Sequence, residues 1–288
     1  MSRRHFAGQR LVWTCALAAG VMLSYLPLAG LLAQTASGTL RQTDEALPPA
    51  KEIIEQAIER ADWMLQQGFE SRIICKHVSI REDLGDEREV KWKEEILYEV
   101  YPVDSHTYYE RVAVNGKPLT AEERKERKEA FREEVAEQAP AKKDDTEIKF
   151  NAELVSRYRA ETLGLETVNG RQAYVLAFEP RDGKLPVRRR IDHALNHSRG
   201  KLWIDKSEFG VVRVQFDLFK PVRLWGGIIG RMGALEGRLE QFRLQEGVWL
   251  PQRVDLYMKG RVLFKSFHQQ RTLTWHDTLL APKQIASK

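Results

Sequence analysis

Between Gly200 and Thr274 the chain alternates in a way that only a sheet satisfies. Val212, Val214, Phe216 and Leu218 are apolar, and Arg213, Gln215 and Asp217 stand between them. That is the two-residue period of a strand with one dry and one wet face. Gly210, Glu246-Gly247 and Lys259-Gly260 interrupt the run at hairpin spacing, which predicts short turns at each of the three. The body of the protein is therefore expected to be an antiparallel meander.

At 288 residues the chain can build one large or two small domains, and its 42% hydrophobic content is ordinary for a globular protein. The net charge of +5 owes three charges to Arg3, Arg4 and Arg10, so the rest of the chain carries +2. A near-neutral body gives no support to nucleic-acid binding. The N-terminus pairs a basic stretch with an apolar run from Leu11 to Ala33, and small and polar residues come next. This predicts export, with residues 1–33 as a cleaved signal peptide or, because the run approaches the ~20 residues that span a bilayer, an uncleaved anchor. Cys15 lies inside that run, so the mature chain keeps Cys75 as its single thiol, placed as a small buried strand residue rather than a redox group.

Residues 34–50 are expected to be a disordered linker. Lys51 to Gln67 then sets Ile53, Ile54, Ala57, Ile58, Ala61, Met64 and Leu65 on one helical stripe, with proline before and Gly68 after. Strands are expected at Ser71–Ile80, Glu87–Tyr101 and Ser105–Val114, the second carrying Trp92, Ile96, Tyr98 and Val100 on one face with Glu94 as the interruption. Thr120 and Glu123 form a capping box that opens a highly charged, largely solvated helix through residues 120–139. Phe150, Leu154, Val155 and Tyr158 predict a short amphipathic helix, and Asn169-Gly170 a tight hairpin. The irregular basic stretch from Pro180 to Arg199 reads as a long mobile loop or lid. Residues 51–277 form one domain on this reading, and 278–288 a C-terminal tail.

The search for chemistry returns little: no G-x-S-x-G, no HExxH, no phosphate loop and no paired cysteines. His193 and His197 are four apart, but no third metal ligand accompanies them. Neither catalytic residues nor a metal nor a cofactor is predicted. Arg188, Arg189 and Arg190 make the one local excess of charge, which suits contact with an anion such as a lipid headgroup or membrane surface.

The order of these elements resembles the outer-membrane lipoprotein-sorting family, the LolA/LolB-like carriers, and their relatives among periplasmic lipid-binding and sigma-factor regulatory proteins. The exported N-terminus, the helix before the first strand, the meander, the GKLWIDKSEFGVVRVQFDL segment with its strand at Leu202 to Asp205, and the later GVWLPQRVDLYMKGRVLFKSF carry the likeness, which spans Ile53 to Thr274. The chain departs from the carriers in its charged helix and its long basic loop. The resemblance implies a mainly β (α+β) fold, a large curved antiparallel sheet forming a half-open barrel around a hydrophobic cavity, with helices covering the mouth. It also implies a non-enzymatic periplasmic carrier or binder of lipid or acylated protein. Trp92, Ile96, Tyr98, Val112, Trp203, Val214, Phe216 and Leu218, on apolar strand faces, are the candidate cavity residues. The rival readings are an envelope-sensing module that binds a membrane protein's periplasmic segment, and a hydrolase acting on lipid or glycan.

Overall fold

The computed structural model describes residues 47–104, 106–136, 148–224 and 230–282. The expected signal segment, most of the expected linker, the end of the charged helix and the glycine-rich crossing at 225–229 lie outside them. α1 (Ala50–Gln66) leads into β1 (Ile73–Leu84), β2 (Val90–Val103), β3 (His106–Val114) and β4 (Lys117–Pro118). The charged α2 (Ala121–Ala136) and the short α3 (Ala152–Val155) come next. The chain continues through β5 (Tyr158–Val168), β6 (Arg171–Pro180), α4 (Arg190–Leu195), β7 (Ser198–Asp205), β8 (Val211–Leu218), β9 (Val222–Leu224), β10 (Gly230–Gln245), β11 (Val248–Val262) and β12 (Lys265–Leu280). The strands form one unclosed, curled antiparallel sheet in the order β4-β3-β2-β1-β12-β11-β10-β8-β7-β6-β5, with β9 paired to β10. The expected half-open barrel is the observed architecture.

Strand register assigns the faces. Tyr174 and Leu176 lie opposite Ile204 and Leu202, and Leu202 opposite Val214, so these five point the same way. Ile53, Ile54 and Ala57 of α1 pack on that face, while Met64 at the far end of α1 joins Ile73, Cys75, Val100 and Trp275. α1 thus joins two apolar clusters, and the face that Ile53, Ile54 and Ala57 cover is termed the inward one. α4 packs there too, setting Ile191, Ala194 and Leu195 against Leu235 and Met258. The basic stretch after Pro180 is consequently no free lid. Its centre is a helix with buried Ile191, Asp192, Ala194 and Leu195, anchored by the fully buried Arg157, whose Nη2 lies 3.1 Å from Asp192 Oδ1.

The capping box of α2 is present, with Glu123 N–H donating to Thr120 Oγ1 at 3.3 Å and Thr120 N–H to Glu123 Oε2 at 2.9 Å. Its contacts with the sheet are few and specific: Arg124 Nε donates to Glu110 at 2.9 Å and the Phe131 ring packs against Tyr108 at a tilt, 4.8 Å between centroids. Asn115-Gly116 and Asn169-Gly170 make the expected two-residue turns, all four residues having φ between 50° and 78°. The turn expected at Lys259-Gly260 is absent, since β11 runs on to Val262 and reverses at Leu263-Phe264. Gly260 instead opens room inside the sheet, where a Cβ would collide with the Phe267 ring across the ladder and the Arg231 carbonyl. Residues expected in the C-terminal tail also belong to the sheet, because β12 extends to Leu280 and the Ala281 N–H donates to the Arg72 carbonyl at 2.7 Å. At the other end, the Pro48 carbonyl already accepts a hydrogen bond from Thr162 at 3.1 Å.

Gly200 faces Phe216 across the ladder, and a Cβ at Gly200 would overlap the Gln215 carbonyl oxygen, a backbone atom that cannot swing aside. Gly200→Ala is expected to lower stability by about 1–3 kcal/mol in urea unfolding. His77 is buried among Trp275, Tyr98 and Tyr109, with its Nδ1–H donating to the Thr274 carbonyl at 3.1 Å. Burial pulls its pKa down to about 4 from an ordinary 6.5, so between those values the unfolded chain binds the proton and the folded one does not. Stability is therefore expected to fall as pH drops from about 6.5 to 4, by on the order of 3 kcal/mol in total. In His77→Phe that acid slope disappears from the urea midpoints.

Candidate functional site

The inward face can be mapped row by row from the ladders. One row runs Ile96, Ser79, Leu273, Val254, Leu239, Val214, Leu202, Leu176 across β2, β1, β12, β11, β10, β8, β7 and β6. Val254, Leu202 and Leu176 in this row are buried, whereas Ile96, Leu273, Leu239 and Val214 are only half-buried. Phe216 and Leu218, two and four residues beyond Val214 on β8, are half-buried as well and pack toward α4. Phe216 lies between Gly200 and Gly237 in its row, and its ring occupies the space where a Gly237 side chain would stand. Helices α1 and α4 thus leave part of an apolar wall uncovered.

The neighbouring row breaks the apolar character. Glu94 on β2, Arg81 on β1 and Arg271 on β12 stand directly across from one another, and Leu256 on β11 continues the row. The Arg81 guanidinium stacks on Trp92 at 4.5 Å and lies 3.8 Å from Asp83, whose Oδ1 accepts from Gln269 Nε2 at 2.8 Å. Arg271 Nε is out of water and has no hydrogen-bond partner among the described residues. Burial lowers the Arg271 pKa and the adjacent Arg81 lowers it further, against the pull of Asp83. A guanidinium left this way on an apolar wall is poised for an anionic group that would complete its hydrogen bonds.

Of the sequence-predicted cavity residues, Trp92, Ile96, Tyr98, Val214, Phe216 and Leu218 share the inward face. Tyr98 belongs to the aromatic cluster around His77, and Trp92 to the charged strip. Trp203 does not join them. It lies opposite Val175 and Arg213 and so points to the other face, with its indole N–H donating to Glu166 at 2.9 Å and the Arg213 guanidinium stacked 5.3 Å from its ring. The LWID segment is apolar at both parities, and the ladder rather than the composition decides which of Leu202 and Trp203 faces inward. Val112 falls at a bulge between β2 and β3, where the register shifts, and has no direct partner across the ladder. The three arginines do not converge either: Arg188 approaches Glu153 at 3.6 Å, Arg189 turns to Asp192, and Arg190 is exposed.

Sequence reasoning missed Arg81 and Arg271, although a signal exists. In β12 the apolar parity of Trp275 and Leu273 continues to Arg271, and a cation at a core position is the mark to look for. It also missed the outward-facing groove. This depression of about 880 Å³ crosses that face from β5 to β12 and is lined by five basic and five acidic residues, including Glu161, Lys201, Arg238 and Asp255. Arg88 reaches over its end from the β1–β2 hairpin, pairing with Glu236 at 3.1 Å and stacking 4.0 Å from the Tyr257 ring. Arg159–Glu179 and Arg199–Asp217 are ion pairs of this lining, which also carries Phe178, Trp203 and Tyr257.

His193 and His197 do not form a metal site; His197 Nδ1–H donates to the His193 carbonyl at 2.8 Å. Among the described residues no group of three or more His, Cys, Asp or Glu side chains is placed to hold a metal ion. Burial pushes the Cys75 thiol up to about 12, which keeps it protonated and unreactive. No helix among the described residues is long and apolar enough to cross a membrane.

No family model and no curated protein matches the sequence. Solved structures do align with it along most of its length. A LolA superfamily protein from Nitrosomonas europaea is 16% identical, the alignment covering 84% of this chain and 99% of that one with a TM-score of 0.32. A putative outer membrane lipoprotein-sorting protein domain from Vibrio parahaemolyticus is 11% identical over 81% and 95%, with a TM-score of 0.33. A DUF1329 family protein from Desulfovibrio piger is 13% identical over 83% and 95%, with a TM-score of 0.30. In structure, the chain is similar to proteins of the LolA superfamily and to an outer-membrane lipoprotein-sorting domain.

Proposed function

We propose that the protein is a non-enzymatic binder or carrier of an acyl-bearing ligand, a lipid or an acylated protein, held along the inward face of the sheet in the periplasm. The observation that carries this reading is the uncovered part of the apolar wall. Ile96, Leu273, Leu239, Val214, Phe216 and Leu218 face inward yet remain half-buried, beneath two helices that cover only part of the sheet. Apolar surface left in that state gains by contact with an acyl chain, at about 0.8 kcal/mol per methylene. About fourteen methylenes would contribute roughly 11 kcal/mol gross. A bilayer offers the same gain, so such a ligand can be both taken up and released.

The charged strip gives the ligand a polarity. The acyl chain lies along the row from Ile96 to Val214, and an acidic end group meets Arg271, whose Nε then acquires the acceptor it lacks. The N-terminal pattern of basic residues and apolar run supports export, and hence the compartment.

A fluorescent fatty acid is expected to bind the purified chain at about one per chain, and native mass spectrometry of protein taken from the cell envelope should find an acyl-bearing species on it. Ile96→Asp, which places a charge on the apolar wall, is expected to weaken uptake at least tenfold. Arg271→Met should weaken a fatty acid about tenfold while leaving the corresponding fatty alcohol unchanged. Urea unfolding of each variant separates loss of binding from loss of fold. A well-folded wild-type chain that takes up neither probe overturns the reading.

A further inference from the structure

The tip of the β11–β12 hairpin is built against the grain of the rest of the molecule. Two other two-residue turns in this sheet use Asn-Gly, the pair that accepts positive φ at both positions. Here the turn residues are Leu263 and Phe264, and Leu263 is held at φ 53°. Leucine is disfavoured in that region of backbone space, where asparagine or glycine would relax it. Phe264 is 98% exposed and Leu263 55%, and Val262 beside them is also exposed. Apolar side chains in a strained, solvated turn do nothing for the fold, so their presence points outward.

The surroundings say toward what. Arg223 on β9, Arg231 on β10 and Arg261 on β11 stand directly across from one another, forming a row one residue in from the tip. Lys265 begins the returning strand opposite Val262. All four are exposed, and none pairs with an acidic side chain among the described residues. An apolar wedge backed by an unpaired basic row is the arrangement that enters a bilayer surface, the wedge among the acyl chains and the cations at the level of anionic headgroups.

We infer that the Val262-Leu263-Phe264 tip, with Arg223, Arg231, Arg261 and Lys265 behind it, docks the protein onto a membrane surface that carries anionic lipid. The site is separate from the inward face and stands whether or not that face holds an acyl ligand. Phe267, Met258 and Met232, which pack with α4 on the inward side, lie immediately behind the tip. Docking there would therefore set this end of the sheet against the lipid.

The test uses the full chain with vesicles of phosphatidylcholine alone or of phosphatidylcholine with phosphatidylglycerol, read by amide hydrogen exchange in the peptide spanning residues 261–266. That readout is local to the tip, so insertion of the N-terminal apolar run does not affect it. Exchange is expected to slow at least tenfold on the anionic vesicles and to change little on the neutral ones. Phe264→Ser, and separately the Arg231→Glu and Arg261→Glu pair, should restore fast exchange without moving the urea midpoint, since every substituted side chain is exposed. The inference is overturned if anionic vesicles give no slowing, if neutral vesicles protect equally, or if Phe264→Ser retains the protection. Protection that grows with protein concentration in the absence of vesicles would also overturn it, assigning the tip to contact with a second copy.

Discussion

Everything in this fold depends on covering one face of an open sheet. A sheet that does not close leaves an apolar face that must meet something other than water, and here α1 packs on it. Ile53 and Ala57 are only 1% exposed, and Ile54 and Met64 only 7%. Each large apolar side chain of this kind contributes about 1.5–3 kcal/mol by leaving water. The two ends of α1 join different apolar clusters, Ile53, Ile54 and Ala57 in one and Met64 in the other. The free edges are handled separately. At one, β4 is two residues long and contains Pro118, and at the other, β5 carries Arg159 paired with Glu179 and Asp182. Short strands, proline and charge all discourage pairing with a second sheet.

The two faces divide the chemistry between them. On the outward face, charges alternate in sign along and across strands, and Arg213 joins Glu240 at 2.9 Å and Glu166 at 3.7 Å over the Trp203 ring. Those three groups satisfy one another, and the groove beside them mixes charged side chains with Phe178, Trp203 and Tyr257. The inward face contains few charges, and they are concentrated in the Glu94, Arg81 and Arg271 row. Arg271 Nε there lacks water to compensate it, and an unpaired buried cation carries a desolvation cost that an acceptor would relieve.

α4 is held by a different means. Arg157, with 1% of its side chain exposed, spans from the end of α3 to Asp192, and its Nη1 donates to the Pro186 carbonyl and to Asn196. Burial alone would raise the Asp192 pKa, but the backbone N–H groups of Arg188 and Arg189 and the Arg157 guanidinium outweigh it and hold the carboxyl below its usual range. The aspartate therefore stays ionised, and α4 keeps one position on the mouth of the sheet. A buried pair of this kind adds little net stability against an apolar substitute; what it fixes is geometry.

The alternation of Val212 to Leu218, the Asn-Gly turns and the stripe of α1 determined the fold class, the hairpins and the helix that covers the sheet, because each is a local pattern with a local physical cause. Six of the eight residues expected to line a cavity share one face of the sheet for the same reason, strand parity. Trp203 faces the other way and Val112 lies at a bulge, since register and bulges are set by the partner strand. The turn at Leu263-Phe264 was hidden by Gly260, which resembles a turn residue but serves a close approach inside the ladder. Arg81 and Arg271, 190 positions apart in the chain, became neighbours only through the pairing of β1 with β12. Parity is written in one strand at a time. Which strands meet, and hence which charges share a wall, is decided by burial across the whole sheet, and only the tertiary structure records it.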